Sequence, residues 1–578
     1  MRDGGQGVRS NLVAVLALAA LATWQLWPAA GPGRLPENLD LMLQYVPNAA
    51  HLARSLAEGR LPLWNPYQGA GMPFAADPGT GTWYLPNWPV LLVLPLYAAV
   101  RLILWGHLLW AALGCYVYLR AVLRVGAAPA WIGAAAFGLT TWLPGLAGMP
   151  VVLTTVAWLP WLLFLADRAA ARGGRWLAAL AIVGALQAVA GWPAGAYLTW
   201  LTLGLLALIR RLSGRALLRV AMAGGLAALL AGVLLAPAAE FVAETNYAET
   251  RPLERLAGDG YLTLLSWLRP AGGTGSLESG QLYLGMAPLA LALVGLAFGR
   301  RRDAAAFGLL ALLALVLAAG THGPLFPLLY RWLPGFRIVY LPARLGLVGA
   351  FALACLAALG AQRLAAGEWD RRQAALVYLM AVALGLLVLG QFWLSEGYDD
   401  FRRLLTNIGR FTGGPFLTRE QELHYLVFGG LALAVLLVRW RTSPPPGVRP
   451  PAPPASGLPA SPRLSDAERG DAGRGRAPSP TPVQARRWTI GALAVLTAAD
   501  LALAQWRAAP PGFAPEGWYG PALERARSLL PAVGHDRVAG NQWHGTQHFL
   551  NDFPESASPA LLPPNLALLA GIRDAQAY

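Results

Sequence analysis

The chain has 578 residues, of which 56% are hydrophobic and only 13% charged, with a mean hydropathy of +0.46. A soluble domain carries about 25% charged residues, so the composition excludes that class and predicts an all-α polytopic membrane protein. The net charge of +15 contains no lysine; arginine alone supplies it, clustered between apolar segments as a topology signal and as contact with anionic lipid. No basic-aromatic soluble module accompanies it, which argues against a nucleic-acid partner. Cys115 and Cys355 both lie inside apolar runs, so neither a disulfide framework nor a thiolate metal site is predicted.

Spans of about 20 apolar residues are the unit to find. The first covers 11–30, after Arg2 and Arg9. It has the length of a signal peptide, but Trp24 and Trp27 suit an interfacial belt, so an uncleaved span with a cytoplasmic N-terminus is predicted. Loop 31–87 is then extracytoplasmic. A short apolar piece, 88–96, is re-entrant or leads into the span that ends at Arg120. Further spans follow at 128–146, 149–166, 176–191, 194–209, 217–236, 282–299, 304–320, 345–363, 374–394 and 423–438. Arginine marks the inner turns, among them Arg168, Arg172, Arg210, Arg219 and Arg300. The remaining outer loops are 237–281, 321–344 and 395–422, completing a transmembrane domain over 1–440. Residues 441–487 are a disordered Pro-rich cytoplasmic linker. A last span, 488–505, leads to an extracytoplasmic tail, 506–578. The total is about thirteen helices.

The first loop is long, aromatic and rich in Gly and Pro, and carries Asp40 at its start. Asp40 and Gln44 share one face of a short helix, which Pro47 is expected to interrupt. A second helix starts at Pro47 and stops before Gly59. Its apolar stripe is Ala49, Leu52, Ala53 and Leu56, bordered by His51 and Arg54, and it is expected to lie flat on the membrane. Asp40 reads either as a general base for an attacking hydroxyl or as a helix N-cap. Trp64, Asn65, Tyr67, Trp83 and Tyr84 offer flat faces and hydrogen-bonding edges suited to sugars and isoprenoid chains, with an interfacial aromatic belt as the competing reading; Gln44 and Tyr45 join Trp64 and Asn65 as substrate-binding candidates. Glu240 and Glu244, one turn apart in the second outer loop, are candidate partner carboxylates or a solvated loop face. Arg331, Arg337 and Arg344, outside against the general trend, suit a lipid phosphate or are snorkelling side chains; Arg337 and Arg344 are the binding candidates. Within or near the spans, Arg101 and Asp500 are expected at the interfaces, while His107 and Gln187 lie deeper. No zinc spacing, P-loop or dinucleotide fingerprint occurs in a suitable context, and the residues leave open whether a divalent metal assists.

Several pieces carry a resemblance: D-L-M-L-Q-Y-V-P from Asp40, G-R-L-P-L-W-N-P-Y from Gly59, G-M-P-F-A-A-D-P from Gly71, A-W-L-P from Ala157, Y-L-G-M-A-P-L from Tyr283, L-P-A-R from Leu341 and L-P-P-N-L-A-L-L-A-G-I-R-D from Leu562. In this order the chain resembles the YfhO-type bacterial membrane proteins of the GT-C class of lipid-dependent glycosyltransferases. The resemblance implies a GT-C-like bundle with juxtamembrane helices in its first outer loop, in a bacterial plasma membrane. It implies a polyprenyl-phosphate-linked sugar as donor, a cell-envelope glycopolymer or lipid as acceptor, and Asp40 as the catalytic carboxylate. The chain departs from the family pattern in three places. Tyr340 stands where the third loop commonly has the first Arg of an Arg-x-Pro-x-Arg pattern, leaving Arg344, with Arg337 as a substitute. The turns at 148–150 and 191–193 lack a His often seen there. The chain stops at Tyr578, where relatives continue into a larger outer domain, so an incomplete tail domain is expected. A transporter or flippase of lipid-linked sugars, or a non-catalytic assembly partner, is the alternative function.

Overall fold

The computed structural model describes residues 2–38, 40–67, 71–140, 146–245, 253, 282–339, 341–366, 375, 379, 424–441, 482–508 and 512–513. Most of the expected span 374–394, the loop 395–422, most of the second outer loop, 442–481 of the Pro-rich linker and most of the tail, with its Leu562–Asp574 motif, lie outside these residues; 482–487, expected within the disordered linker, are instead the first turns of a helix that runs from Pro482 to Ala508. The described chain is helical. Among its residues, four helices are long and apolar enough to cross a membrane: Val8–Ala30, Leu96–Ala121, Pro150–Arg172 and Pro342–Ala366. Gly214–Leu230 and Gly232–Ala243 make a fifth if taken as one span. The single span expected over 217–236 is instead bent by 67° at Ala231. Six further apolar helices are shorter.

In chain order the helices are α1 (Arg2–Ala30), α2 (Val46–Ala57), α3 (Trp88–Val93), α4 (Leu96–Ala121), α5 (Ala127–Gly138), α6 (Pro150–Val156), α7 (Leu159–Arg172), α8 (Arg175–Ala188), α9 (Pro193–Ile209), α10 (Gly214–Leu230), α11 (Gly232–Ala243), α12 (Met286–Phe298), α13 (Arg301–Ala318), α14 (Leu325–Trp332), α15 (Gly346–Ala366), α16 (Gly430–Arg441) and α17 (Pro482–Ala508). One short antiparallel pairing joins β1 (Leu35–Pro36) to β2 (Gly512–Phe513).

Helix α15 is the axis of the bundle, packed by α12, α13 and α5. Its core contact is small: a Cβ on Gly295 would lie 1.9 Å from the Leu356 carbonyl, and one on Gly360 would lie 2.0 Å from that of Leu291. Two backbones touch here, the packing mode that replaces hydrophobic drive between helices in lipid. Gly295→Ala must therefore part α12 from α15. Overpacking of this kind costs about 1–3 kcal/mol, so the variant's thermal midpoint in detergent should fall by several degrees. An unchanged midpoint would contradict this account of the crossing.

The arginines assigned to inner turns gather at one end of the bundle and close helix termini there. Arg120 Nη1 donates to the Val125 carbonyl (2.6 Å), Arg168 Nη2 to that of Ala121 (2.8 Å) and Arg219 Nη1 to that of Ala170 (2.9 Å). Arg210 pairs with Asp303 at 3.5 Å, and Arg300 reaches the Leu123 carbonyl. The bonds to Ala121 and Ala170 satisfy helix-end carbonyls that the helix itself leaves open, and those to Val125 and Leu123 hold the turn between α4 and α5. The opposite end carries the first loop and the turns at 148–150, 191–193 and 334–345.

Candidate active site

Asp40 opens the first-loop helix. Its backbone is already helical (φ −63°, ψ −41°), and its side chain makes no cap hydrogen bond. Asn38 is the cap: its Oδ1 accepts from the Leu41 N–H at 3.1 Å, and its carbonyl accepts from the Met42 N–H at 3.0 Å. The capping role that the sequence offered to Asp40 thus falls to Asn38, two residues earlier. Asp40 itself is partly exposed.

Pro47 does not interrupt the helix, contrary to expectation. Leu41–Tyr45 is wound as a π-helix, with the Val46 N–H bonded to the Leu41 carbonyl, and runs directly into α2. Proline has no N–H to give, and its ring crowds the carbonyl four residues back. Widening the preceding turn accommodates both, and such π segments recur at functional sites. Helix α2 then stops as expected, with Gly59 at φ +72°. Its apolar stripe packs on α3 and α4, Leu52 joining Leu91, Ala99 and Ile103. His51 is not at the border of that stripe; it is 3% exposed.

The loop after α2 folds back over the helix. His51 meets Phe74 edge-on at 4.8 Å and Tyr67 at 5.8 Å. Burial lowers its pKa from 6.5 to about 4, so it is neutral at pH 7. A value depressed on folding gives stability that is complete above pH 6.5 and lost as pH falls toward 4. The melting temperature should therefore decline over that window, and His51→Gln should flatten the decline. A pH profile identical in the two proteins would contradict the burial argument. Tyr84 anchors the loop's other end, its hydroxyl bonded to His107 Nε2 (2.8 Å) and Trp158 Nε1 (2.9 Å).

Gln44 faces the Asp77 turn. A Cβ on Gly79 would lie 3.5 Å from Gln44 Nε2 and 3.2 Å from Asp77 Oδ1. Asp77 accepts the Gly79 N–H at 2.8 Å, and burial raises its carboxyl pKa. Tyr45 lines a cavity of about 50 Å³ with Leu41, Asn48, Gly79, Val151 and Thr154, room for a few waters.

Arg344 is 7% exposed. Its Nη2 lies 3.7 Å from Met149 Sδ, and its guanidinium stacks on Trp192 at 5.0 Å. Met149 and Trp192 belong to the two turns from which the expected His is missing; here those turns cradle an arginine instead. Asn38 leans on the same turn, since a Cβ on Gly148 would meet Asn38 Cγ at 2.5 Å. The turn at Gly191 (φ +114°) lies against the Pro78 carbonyl, 3.1 Å from where its Cβ would be. Segments 38–45, 77–79, 148–150, 191–192 and Arg344 therefore meet, with Asn38 and Arg344 on consecutive residues of one turn.

The remaining candidates sit around this meeting point or serve the loop. Trp64 is 55% exposed, its ring covering Gly71, where a Cβ would approach it to 2.6 Å. Asn65 is completely buried; its backbone pairs with Met72 at 2.8 and 2.9 Å, and its Oδ1 accepts from Tyr67 N–H at 2.9 Å. It shapes the hairpin under Trp64. Glu240 and Glu244 are exposed on α11 and at its C-terminal cap; α11 packs along Phe74–Ala76 of the first loop. Arg337 is exposed and lies 5.9 Å from the Tyr330 ring. Asp500, expected near an interface, is fully buried among the helices, as is Gln187. Asn38 was not singled out from sequence, although Asn is as good an N-cap as Asp; Asp77, Met149 and Trp192 stood out only as members of turns, with no site role.

No family model matches the chain, and no curated protein matches it. Among solved structures it is similar to ArnT from Cupriavidus metallidurans bound to undecaprenyl phosphate, at 12% identity and a TM-score of 0.45 over 99% of this chain and 85% of that one. It is similar to the apo state of the same protein, at 12% and 0.41 over 99% and 86%. It is also similar to the arabinofuranosyltransferase AftD from Mycobacteria, at 16% and 0.39 over 61% of this chain and 24% of that one. These likenesses are too distant to assign a family or an activity.

Proposed function

We propose that the protein is a membrane glycosyltransferase of the GT-C kind, acting on a polyprenyl-phosphate-linked sugar at the extracytoplasmic face. The observation that carries this reading is the convergence of the Asp40 lead-in and Arg344 on one turn, Gly148–Pro150. Asp40 takes the proton of an acceptor hydroxyl as its oxygen bonds to the sugar's anomeric carbon. The bond from that carbon to the phosphate oxygen breaks, and polyprenyl phosphate leaves with the electron pair. Arg344, flat on Trp192, balances the charge that grows on the phosphate. Gln44 and Tyr45 line the sugar's side, Trp64 gives it an open aromatic face, and Glu240, Glu244 and Arg337 stand at the rim toward the envelope acceptor.

A flippase of lipid-linked sugars is the competing function, and one assay separates the two. Purified protein in liposomes receives a polyprenyl-phosphate sugar labelled in the sugar, together with envelope acceptor. Transfer moves label from the lipid to the acceptor and frees polyprenyl phosphate. Label that stays on lipid and crosses the bilayer would instead establish translocation.

A further inference from the structure

A second polar cluster lies in the bundle. Asp500, in α17, is completely buried. Its Oδ1 accepts from the Tyr283 hydroxyl at 2.8 Å and from His424 Nε2 at 2.6 Å. Its Oδ2 accepts from the Met286 N–H, at the start of α12, at 2.6 Å. Gly285 permits that bond: it holds φ +97°, and a Cβ there would already lie 3.3 Å from Oδ2. The neighbouring Leu501 carbonyl accepts from Gln25 Nε2 of α1 at 3.5 Å, and the same nitrogen donates to the Leu139 carbonyl at 3.0 Å. The carboxylate thus ties α17 to the segment before α12 and to the segment before α16, while its neighbour is tied to α1.

The consequence runs to the site. Beyond α17, Phe513 pairs with Leu35 and Gly512 with Pro36. Asn38, which caps the Asp40 helix, is two residues past Pro36. A carboxylate inside a membrane bundle is costly unless its oxygens are occupied, and apolar side chains would pack the same helices without that cost. What the carboxylate adds is a fixed rotation and height for α17.

We propose that Asp500 is a positioning residue for Asp40, acting through α17 and the β2–β1 pairing. Its kinetic consequence rests on the reading of Asp40 as base; its structural consequence does not. The test uses the full chain with Leu35→Cys and Phe513→Cys, alone and combined with Asp500→Asn or Tyr283→Phe. Directly opposed residues of an antiparallel pair lie within disulfide reach, and the native cysteines Cys115 and Cys355 are buried. Asp500→Asn should slow cross-linking several-fold and, in the background without added cysteines, lower kcat about tenfold with KM for the donor unchanged, as small misplacements of a reacting group do. Tyr283→Phe, which removes one donor, should move both in the same direction by less and keeps the test open if the Asn variant does not fold. Cross-linking at the parent rate in both variants would overturn the proposal, as would a lowered melting temperature with cross-linking unaltered. Slowed cross-linking in a protein whose wild type shows no sugar transfer would sink the glycosyltransferase reading and uphold the coupling of Asp500 to the strand.

Discussion

Asp40→Asn is expected to reduce sugar transfer by about 10²–10⁴-fold, the usual contribution of a positioned general base, while leaving donor binding and the folded state intact. The second half of that expectation follows from local structure. Asn38 caps the helix start, its Oδ1 accepting the Leu41 N–H, so that cap does not depend on the Asp40 carboxylate. The amide keeps the carboxylate's shape and lacks its basicity. The pair of measurements is the transfer rate and the melting temperature of the detergent-purified variant. Equal loss of both would mean that Asp40 supports the loop; full activity would remove it from the chemistry.

Arg344→Lys should lower kcat/KM for the lipid-linked donor by about 10–100-fold, equivalent to about 1.4–2.8 kcal/mol. The substitution keeps the positive charge. It removes the planar guanidinium that lies on Trp192 and the second N–H needed for a bidentate grip on phosphate. Arg337→Lys, at an exposed position, should change the same quantity only a few-fold, as rim charges do. The comparison is made on both variants across a range of ionic strength. Equal losses in the two would contradict the assignment of the phosphate to Arg344, and a greater loss in Arg337→Lys would move the phosphate to the third loop's exposed turn.

The sequence made some features plain and hid others for physical reasons. The alternation of arginine-bearing turns and polar turns separates the two ends of the bundle, because charge placement is a local property of each turn. The first loop stood out for the same reason, and Gly59 ended α2 where expected. Pro47 misled the reading of the helix: proline forbids one bond at its own position, and the chain answered by widening five residues ahead of it. His51 looked like a border residue because helical periodicity is blind to a loop folding back over the outer face. The Asp500 cluster was invisible in principle, since its partners His424 and Tyr283 lie 76 and 217 residues away in the chain. Arg344 was picked out as a phosphate candidate, but its contact with Met149, 195 residues away, was hidden in the same way.

The most direct measurement is a cryo-EM structure of the protein in lipid nanodiscs with a non-transferable polyprenyl-phosphate sugar bound. The account predicts the phosphate on the Arg344 guanidinium, at the turn it shares with Asn38, and the sugar's anomeric carbon facing the Asp40 carboxylate across a gap wide enough for one hydroxyl. A phosphate seated elsewhere, with Asp40 turned away from the sugar, would contradict it.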